Sequence, residues 1–286
     1  MIIIIDGINA PHLQSLLKQT YALRARVFKD RLGWDVCVEN GMETDVYDTL
    51  NPSTLVCIDD DGVVVGSMRI LQTTGPNMLA DVFSSILQGE AAPRSPHIWE
   101  ATRFCVDTNR LTGAARSRNS ISYVTAEIMV AACEYAMAAG VTDAVAVIDP
   151  IMNRVMKRSG NAPYDYLGKA TPMGKVTAMA GLLDCSEERR DRLRAFAGIT
   201  GDVIMPEDEV MARFADAPAA APAALGSVEI DAQGHDLTSA LDAEAARDAA
   251  RALRAYCRDL LDDAETTAEM RSALRLIAQL ERNVMT

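Results

Sequence analysis

Apolar residues in the first part of the chain fall into short continuous runs and longer stripes with helical spacing. Ile2–Ile5 is a continuous apolar run, which is typical of a short buried strand. Residues 13–28 carry apolar positions at helical spacing, so we expect a helix with Asn9 as its N-cap and its end near Gly33. Residues 35–53 are polar and rich in carboxylates, which predicts an irregular segment with few core residues.

A β-hairpin is predicted next. Residues 55–58 and 63–70 are β-rich runs, and Asp59-Asp60-Asp61-Gly62 between them is a strong turn signal. Residues 72–97 contain Pro76, Pro93 and Pro96, so this stretch is predicted to be mostly loop, with a short helix near 79–88.

The remaining elements of this part alternate between strand and helix. Ile98–Val106 is predicted to be a strand, although Glu100 and Arg103 are unusual residues for a plain core strand. After it we expect a helix from Asn119 or Ser120 to just before Gly140, a strand at 145–148, a helix opened by Asp149-Pro150 and ended at Gly160, and a final strand at 175–183. This order predicts an α/β layered domain of roughly 185 residues.

The composition changes after residue 186. Residues 187–286 contain 20 Asp and Glu, 12 Arg and no Lys, a net charge of -8. Residues 215–224 form an Ala/Pro linker, and residues 239–283 have leucines at helical spacing. We therefore expect a first domain at 1–186, followed by an acidic, Ala-rich and mostly helical C-terminal extension at 187–286.

Charge and cysteine content narrow the class of protein. The 286 residues carry a net charge of -12, which argues against a general nucleic-acid or anionic-membrane binder. The six cysteines are scattered and there are only three histidines, which argues against a zinc site or a disulfide scaffold, so no metal is expected. The apolar run before Asp6 is too short for a signal peptide or a membrane span, so we expect a cytoplasmic protein.

Charged residues in and beside the apolar segments predict a polar site. A charge in such a segment is costly unless it is paired with an opposite charge. The set consists of three arginines and four carboxylates: Arg24, Arg69, Arg103, Glu43, Asp45, Asp48 and Glu100.

The same stretch carries an ordered set of short motifs. They are Leu23-Arg24-x-x-Val27-Phe28, Leu32-Gly33-Trp34, Glu43-x-Asp45-x-Tyr47-Asp48, Gly66-x-x-Arg69-Ile70-Leu71, Pro76-x-Met78-Leu79 with Phe83, and Trp99-Glu100-x-x-Arg103-Phe104-x-Val106. In order and spacing the set resembles the acyl-homoserine-lactone synthases, the LuxI-type autoinducer synthases of bacterial quorum sensing. The resemblance covers roughly residues 1–185 and leaves out the last hundred.

The resemblance implies a fold and a reaction. The fold would be the three-layer α-β-α arrangement of the GNAT acyltransferases, with an acyl donor in a V-shaped gap between two splayed strands, here Ile98–Val106 and residues 145–148. The substrates would be S-adenosylmethionine and an acyl thioester on acyl carrier protein or coenzyme A, with no permanently bound cofactor. The amine of S-adenosylmethionine attacks the thioester, and its carboxylate then displaces methylthioadenosine and closes the lactone.

The resemblance also implies roles for the charged and aromatic residues. S-adenosylmethionine carries a sulfonium, an ammonium and a carboxylate, so its site needs carboxylates, an arginine and aromatic faces. The implied binding residues are Arg24, Phe28, Trp34, Asp45, Asp48 and Arg69, with the alternative that Phe28 is only a core aromatic.

Catalysis requires a base, because the attacking amine must lose a proton. Glu100 is the first choice and Glu43 the second, with Arg103 as the third catalytic residue; alternatively, Glu100 is only a structural partner of Arg103. Backbone N–H groups of that strand would hold the oxyanion. No covalent enzyme intermediate is needed, so none of the cysteines is given a role.

Two further sets of residues would serve the acyl donor. The implied acyl pocket is lined by Met129, Ala146, Ile148, Met152, Val155 and Met156, with Met78 and Leu79 near its mouth; alternatively, these are ordinary core residues. The donor carrier or its phosphopantetheine would contact Phe104, Arg110, Gly113 and Arg116. The segment from Arg110 to Ala115 resembles a GNAT pyrophosphate loop, but it is also compatible with a plain turn or with docking of an acidic carrier protein.

Two alternative functions stay open at this point. One is a GNAT-type N-acyltransferase that acts on a different amine, and the other is a catalytically silent relative that binds a partner. Release of methylthioadenosine would separate all three functions.

Overall fold

The computed structural model describes residues 1–111, 120–174 and 176–216. Its strands are β1 (Ile2–Ile5), β2 (Val38–Glu39), β3 (Met42–Glu43), β4 (Ser53–Ile58), β5 (Val64–Gln72), β6 (Ile98–Val106), β7 (Asp143–Ile148), β8 (Asp165–Met173) and β9 (Val176–Asp184). Its α-helices are α1 (Gln14–Arg24), α2 (Met78–Asp81), α3 (Ile121–Ala138), α4 (Pro150–Arg158), α5 (Glu187–Ala197) and α6 (Glu207–Phe214). Short 3₁₀-helices lie at Ala10–His12, Val46–Leu50 and Ser84–Leu87.

Seven of these strands form one sheet in the order β1-β4-β5-β6-β7-β9-β8. Strands β6 and β7 are parallel, and the other neighbours are antiparallel. The register of β6 with β7 ends at the pair Ala101–Ala146, although the two strands continue to Val106 and Ile148. The two central strands therefore separate, and the splayed arrangement expected from the sequence is confirmed.

Helices cover both faces of the sheet, which gives the predicted three-layer α-β-α architecture. Alternate residues of β1 and β4 point to opposite faces, as the period of a strand requires. Ile2 and Leu55 pack in a cluster with α3, whereas Ile3 and Val56 pack in a cluster with α1. A Cβ on Gly66 of β5 would stand 2.7 Å from Ile128 Cδ1, so the glycine allows α3 to approach the sheet closely.

The first long helix is less regular than its apolar stripe predicts. The expected helix from Asn9 to Gly33 consists of a 3₁₀ turn, α1 and a π-helical segment at Ala25–Arg31. π-Helical turns are rare and occur frequently at functional sites. Gly33 has a φ of +63°, a left-handed conformation that ends the helix and suits glycine.

Strand β8 is an element that the sequence did not predict. It is an edge strand, largely exposed, and it contains Gly168 and Pro172. Glycine and proline are depleted in strands but tolerated at sheet edges, so the local pattern resembled a loop. Its neighbour β9 (Val176–Asp184) agrees with the strand expected at 175–183.

The compact unit continues past residue 186, which corrects the expected domain boundary. It comprises Met1–Ala219. Leu193 of α5 is fully buried in the cluster around α3, and Val210 of α6 is buried in the cluster around α1. Between these helices, the Ile2 N–H donates to the Val203 carbonyl at 2.7 Å. The charge-rich composition of this segment reflects its outer face, whereas its few apolar residues pack on the domain; residues 217–286 lie outside the described part.

Helix α3 is the core helix of the domain. Among the described residues it is the one helix long and apolar enough to cross a membrane by length and composition. Ser120 caps the helix by accepting a hydrogen bond from the Tyr123 N–H at 3.2 Å. The prediction from the sequence was that either Asn119 or Ser120 would be the N-cap. The buried face of α3 packs on the sheet, so its apolar composition is accounted for by the core.

Candidate active site

Six charged side chains close a ring of ion pairs between the end of α1 and strands β3, β5 and β6. Arg24 bonds Glu43 through Nε and Asp48 through both terminal nitrogens at 2.8 Å. Arg69 bonds Asp48 and Asp45. Arg103 completes the ring by pairing with Asp45 at 2.7 Å and with Glu43 at 3.0 Å. Each arginine thus bridges two carboxylates, and each carboxylate bridges two arginines.

Burial makes the ring structurally important. Arg24 and Arg69 are each 1% exposed and Glu43 is 0% exposed. Burial alone would lower the pKa of Arg24, but the hydrogen bond and charge of Asp48 outweigh it and raise the pKa above its ordinary value. Burial likewise opposes ionisation of Asp48, and its bonds from Arg24 outweigh that effect and lower its pKa. Both groups therefore stay charged because they are paired.

Local sequence fixes the two aspartates of the ring. Asp45 is the N-cap of the 3₁₀-helix Val46–Leu50 and accepts the Tyr47 N–H at 2.9 Å. Asp48 accepts the Asp45 N–H at 2.8 Å, which completes a capping box. The Asp-x-x-Asp spacing therefore orients both carboxylates through local hydrogen bonds that do not involve the arginines.

The ring is open to solvent at one edge. The side chain of Asp45 is 18% exposed and that of Arg103 is 12% exposed, whereas the side chains of the other four members are at most 6% exposed. A small charged molecule can therefore reach these two residues without dismantling the rest of the ring.

Aromatic rings lie against the arginines. Phe28 and Trp34 stack at 5.1 Å between ring centroids, and the Arg103 guanidinium lies 5.7 Å from the Phe28 centroid. Phe28 is buried and Trp34 half-buried, so Trp34 is the member of the stack that solvent reaches. Phe28 is thus a core aromatic that also neighbours the ring, and its role in binding S-adenosylmethionine stays a prediction.

Strand β6 carries a bulge at Arg103. Thr102 pairs with Arg69 and Cys105 with Ser67, so two residues of β6 stand opposite Met68. Arg103 has a φ of +52°, a conformation that non-glycine residues adopt rarely and that tends to mark functional sites. A bulge re-aims side chains and turns backbone groups out of the ladder. Here it directs Arg103 into the ion-pair ring beside the gap between β6 and β7.

Glu100 lies apart from the ring. Its two oxygens accept the backbone N–H groups of Met78 at 2.7 Å and Leu79 at 2.6 Å. It is 0% exposed, and burial raises the pKa of Glu100 to about 7 although both N–H bonds oppose the rise. Because Arg103 pairs with Glu43 and Asp45, the alternative of Glu100 as the structural partner of Arg103 is wrong.

The expected acyl-pocket residues divide between the two faces of the sheet. Met129, Ala146, Ile148 and Met156, with Met152 packed against them, form part of the cluster around α3. Leu79 packs on the opposite face, and the Met78 sulfur lies 3.3 Å from Arg69 Nη2. Val155 is half-buried on α4. The structure therefore brings five of the eight residues together and places Met78 at the ion-pair ring instead.

The expected donor-carrier residues are only partly described. Arg110 bonds Asp59 and, at 2.9 Å, Asp61, which ties the loop after β6 to the β4–β5 turn. Phe104 packs against the cluster around α3. Gly113 and Arg116 lie outside the described residues.

Two tyrosines belong to the site, although no role was predicted for them from the sequence. The Tyr47 ring lies 5.5 Å from the Arg69 guanidinium, and the Tyr21 ring 5.2 Å from that of Arg24. Tyr47 also donates a hydrogen bond from its hydroxyl to Asp81 at 3.1 Å. Burial, and after it the negative charge of Asp81, raises the pKa of Tyr47 to about 12. Its place between Asp45 and Asp48 was the signal available in the sequence. The described residues contain no group of His, Cys, Asp or Glu that could hold a metal ion.

Comparisons with known proteins point to one group of enzymes. Residues 11–193 match the sequence profile of the family described as autoinducer synthase. An acyl-homoserine-lactone synthase of Agrobacterium fabrum (strain C58 / ATCC 33970) is 40% identical over 171 residues, which cover 59% of this chain and 79% of that protein. A probable acyl-homoserine-lactone synthase of Sinorhizobium fredii (strain NBRC 101917 / NGR234) is 36% identical over 179 residues, 63% of this chain and 85% of that protein.

A solved structure gives the same likeness. The crystal structure of the AHL synthase LasI superposes with a TM-score of 0.58 at 34% sequence identity, over 68% of this chain and 94% of that chain. A structure of TofI in a ternary complex with an inhibitor and MTA has a TM-score of 0.56 at 25% identity, over 68% of this chain and 96% of that chain.

Proposed function

The chain belongs to the autoinducer synthase family, and from this premise we propose which of its residues bind the substrates and which catalyse acyl-homoserine-lactone synthesis. It is an acyltransferase that moves an acyl group from a thioester to the amine of S-adenosylmethionine and then forms the lactone with release of methylthioadenosine. The observation that carries the proposal is the closed ion-pair ring with one open edge.

The open edge is the proposed seat of the amino-acid part of S-adenosylmethionine. Its ammonium would bind Asp45 and its carboxylate Arg103, because these are the ring members with solvent access. Arg24, Asp48 and Arg69 would hold that pair in position rather than touch the substrate, since their bonds are made within the ring. Charge-assisted hydrogen bonds of this kind are the strong ones.

The aromatic stack would cover the rest of S-adenosylmethionine. A sulfonium is attracted to the face of an aromatic ring, and tryptophan is the strongest partner. Trp34 is half-buried and stacks on Phe28, whose ring lies 5.7 Å from the guanidinium of Arg103 at the open edge. We therefore assign Trp34 to the sulfonium and nucleoside, and Phe28 to support of Trp34 and Arg103.

Glu100 is the proposed base for the attacking amine. A pKa of about 7 leaves Glu100 partly ionised near neutral pH, which is the range in which proton transfer is most efficient. Each of its oxygens accepts one backbone N–H and keeps a second acceptor position for a water or the amine. Glu43 is the weaker candidate, because both its oxygens are ion-paired to arginines.

The acyl donor would lie in the gap between β6 and β7. Backbone N–H groups at the β6 bulge, where the pairing with β5 is interrupted, would stabilise the tetrahedral oxyanion. The acyl chain would follow Ala146 and Ile148 into the methionine-rich cluster around α3 and α4. Lactone closure is intramolecular and depends mainly on how the site folds the substrate. The buried Cys105 takes no part, because burial raises the pKa of its thiol to about 11.

The carrier of the donor, acyl carrier protein or coenzyme A, is proposed to approach the loop after β6. Phe104 flanks this loop, and Gly113 and Arg116 follow it in sequence. Arg110 is occupied by Asp59 and Asp61, so we assign it to holding the loop rather than to binding phosphate. We further propose that the enzyme works in the cytoplasm, without a permanent cofactor, and without nucleic-acid or membrane partners.

Asp45→Asn tests the seat of S-adenosylmethionine. The change is isosteric and removes the charge that would hold the ammonium, so KM for S-adenosylmethionine should rise by roughly 10- to 100-fold. Purified enzyme is assayed for lactone and methylthioadenosine, which should form in equal amounts. Asp30→Asn, at an exposed position on the π-helical segment, serves as the matched control. An unchanged KM in Asp45→Asn would place the ammonium elsewhere.

A further inference from the structure

A cleft of about 270 Å³ lies between α4 and the edge strand β8. Asn153 and Lys157 of α4 line one side, Tyr166 and Ala170 of β8 line the other, and Met179 of β9 forms part of its wall. None of the residues assigned a role in the proposed reaction lines this cleft. It lies on the face of the sheet that α4 covers, next to the methionine cluster proposed for the acyl chain.

A bulge in β8 separates the strand residues beside Met179. Leu167 pairs with Ala180 and Thr171 with Ala178, so residues 168, 169 and 170 of β8 stand opposite the single residue Met179 of β9. Gly168 at the start of the bulge has a φ of +63°, and a Cβ there would stand 1.9 Å from the Ile86 carbonyl oxygen. The backbone of the bulge is therefore packed closely against the layer on the other face of the sheet.

Met179 connects the cleft to the proposed acyl path. It pairs with Ile148 across β7 and β9, so their side chains lie next to each other on the same face. Met179 also packs against the cluster that contains Met129, Met152 and Met156. An acyl chain that enters at Ala146 and runs past Ile148 would meet Met179 next, and beyond Met179 lies the cleft. From β7 to β8 this path spans two strand spacings, about 10 Å.

Asn153 stands across this path as a polar closure. It accepts the Tyr166 hydroxyl at 2.7 Å and donates to the Met179 sulfur at 3.3 Å. Both links join exposed or half-buried side chains, and a rotation of Asn153 breaks both without leaving a buried group unpaired. Methionine side chains adapt their shape readily, so Met179 can move when a chain passes.

We propose that this cleft takes the terminal carbons of long, unbranched acyl chains, with Asn153 and Tyr166 as the gate, so that the enzyme accepts long-chain donors. The inference rests on the proposed function, because it extends the acyl path assigned there. Short chains end within the methionine cluster, whereas long chains pass Met179 and occupy the cleft, where Ala170 and the Tyr166 ring cover them.

The test compares hexanoyl and tetradecanoyl donors with the full-length enzyme, offered in competition on both carriers, and quantifies the lactones by mass spectrometry. Wild type should use tetradecanoyl donor. Ala170→Trp fills the cleft and should lower the tetradecanoyl-to-hexanoyl ratio of kcat/KM at least about tenfold, since lost apolar contacts discriminate by that order. Asn153→Ala opens the gate and should raise the same ratio. Lys169→Trp, on the same bulge but outside the cleft lining, is the matched control.

The outcomes separate the inference from the function on which it rests. The role of the cleft would be overturned if the enzyme makes hexanoyl lactone and both Ala170→Trp and Asn153→Ala keep the wild-type tetradecanoyl-to-hexanoyl ratio of kcat/KM. This result would leave the synthase function intact. The role of the cleft would also be overturned if wild type makes hexanoyl lactone but no tetradecanoyl lactone. Absence of any lactone and of methylthioadenosine in wild type would overturn the function itself, and the inference with it.

Discussion

Replacement of Glu100 by glutamine tests the proposed base through both stability and rate. The carboxylate is fully buried, and its pKa of about 7 lies well above 4.5, the ordinary value for glutamate. Glutamine keeps the size of the side chain and removes the titration. Its amide can accept only one of the two N–H groups from Met78 and Leu79, so the variant is expected to lose some stability at every pH.

The pKa difference sets the size of a pH-dependent effect. At 1.36 kcal/mol per pKa unit, a rise from 4.5 to about 7 corresponds to about 3 kcal/mol. Between these values the unfolded chain has lost the proton of Glu100 and the folded chain still binds it. The free energy of unfolding of wild type therefore falls as pH rises through this window, and the loss is complete above pH 7.

Urea unfolding at a series of pH values measures the effect. The free energy of unfolding of Glu100→Gln relative to wild type should increase by about 3 kcal/mol between pH 4.5 and pH 8. Over the same range kcat/KM of wild type should rise through an apparent pKa near 7, and the variant should lose roughly 100-fold or more in kcat. Exposed Glu90→Gln controls for removal of a charge. A pH-independent stability difference together with near-wild-type turnover would refute the assignment of Glu100 as the base.

Three further predictions follow from the fold and the ring. Arg24→Met should lower the free energy of unfolding by about 3–5 kcal/mol in urea titrations, because it leaves three carboxylates of the buried ring with only two arginines and so one negative charge uncompensated. Exposed Arg26→Met should cost less than about 1 kcal/mol. A chain that ends at residue 219 should fold and make lactone. A chain that ends at residue 186 loses the buried residues of α5 and α6, so it should be insoluble or have a much lower melting temperature. Equal melting temperatures of the two chains would contradict the packing of α5 and α6 on the domain. Ala146 offers no side-chain hydrogen bond, so unsubstituted donors should be preferred over matched 3-oxo donors by roughly 1–3 kcal/mol, and Ala146→Thr should gain 3-oxo use. A clear preference of wild type for the 3-oxo donor in a competition assay would defeat that last argument.

Local sequence determined most of the secondary structure. The strand Ile98–Val106 and the caps at Ser120 and Asp149 were predictable, because apolar period and capping chemistry act within a few residues. The Asp45-x-x-Asp48 spacing was equally local, since it forms a capping box. The set of charged residues could be found for a related reason: charges in apolar segments require partners.

The partners themselves were decided by tertiary structure. The sequence could not show that Arg24, Arg69 and Arg103 alternate with three carboxylates in a closed ring, because each pair joins residues at least 19 positions apart. It also left Glu100 with two possible roles. Packing of the start of α2 against β6 directs two backbone N–H groups to that carboxylate, whereas Arg103 pairs with Glu43 and Asp45.

Tertiary structure likewise decided where the domain ends and which residues share a face. Strand β8 has a loop-like composition and exists because β9 pairs with it, whereas the charge-rich α5 belongs to the domain through the burial of Leu193 and Ala197. The sequence by itself determined most of the elements and the kind of chemistry, since these depend on neighbouring residues and on residue type. The partner of each charge, the limit of the core and the face reached by each apolar side chain depend on contacts between distant segments, and only the folded chain brings those segments together.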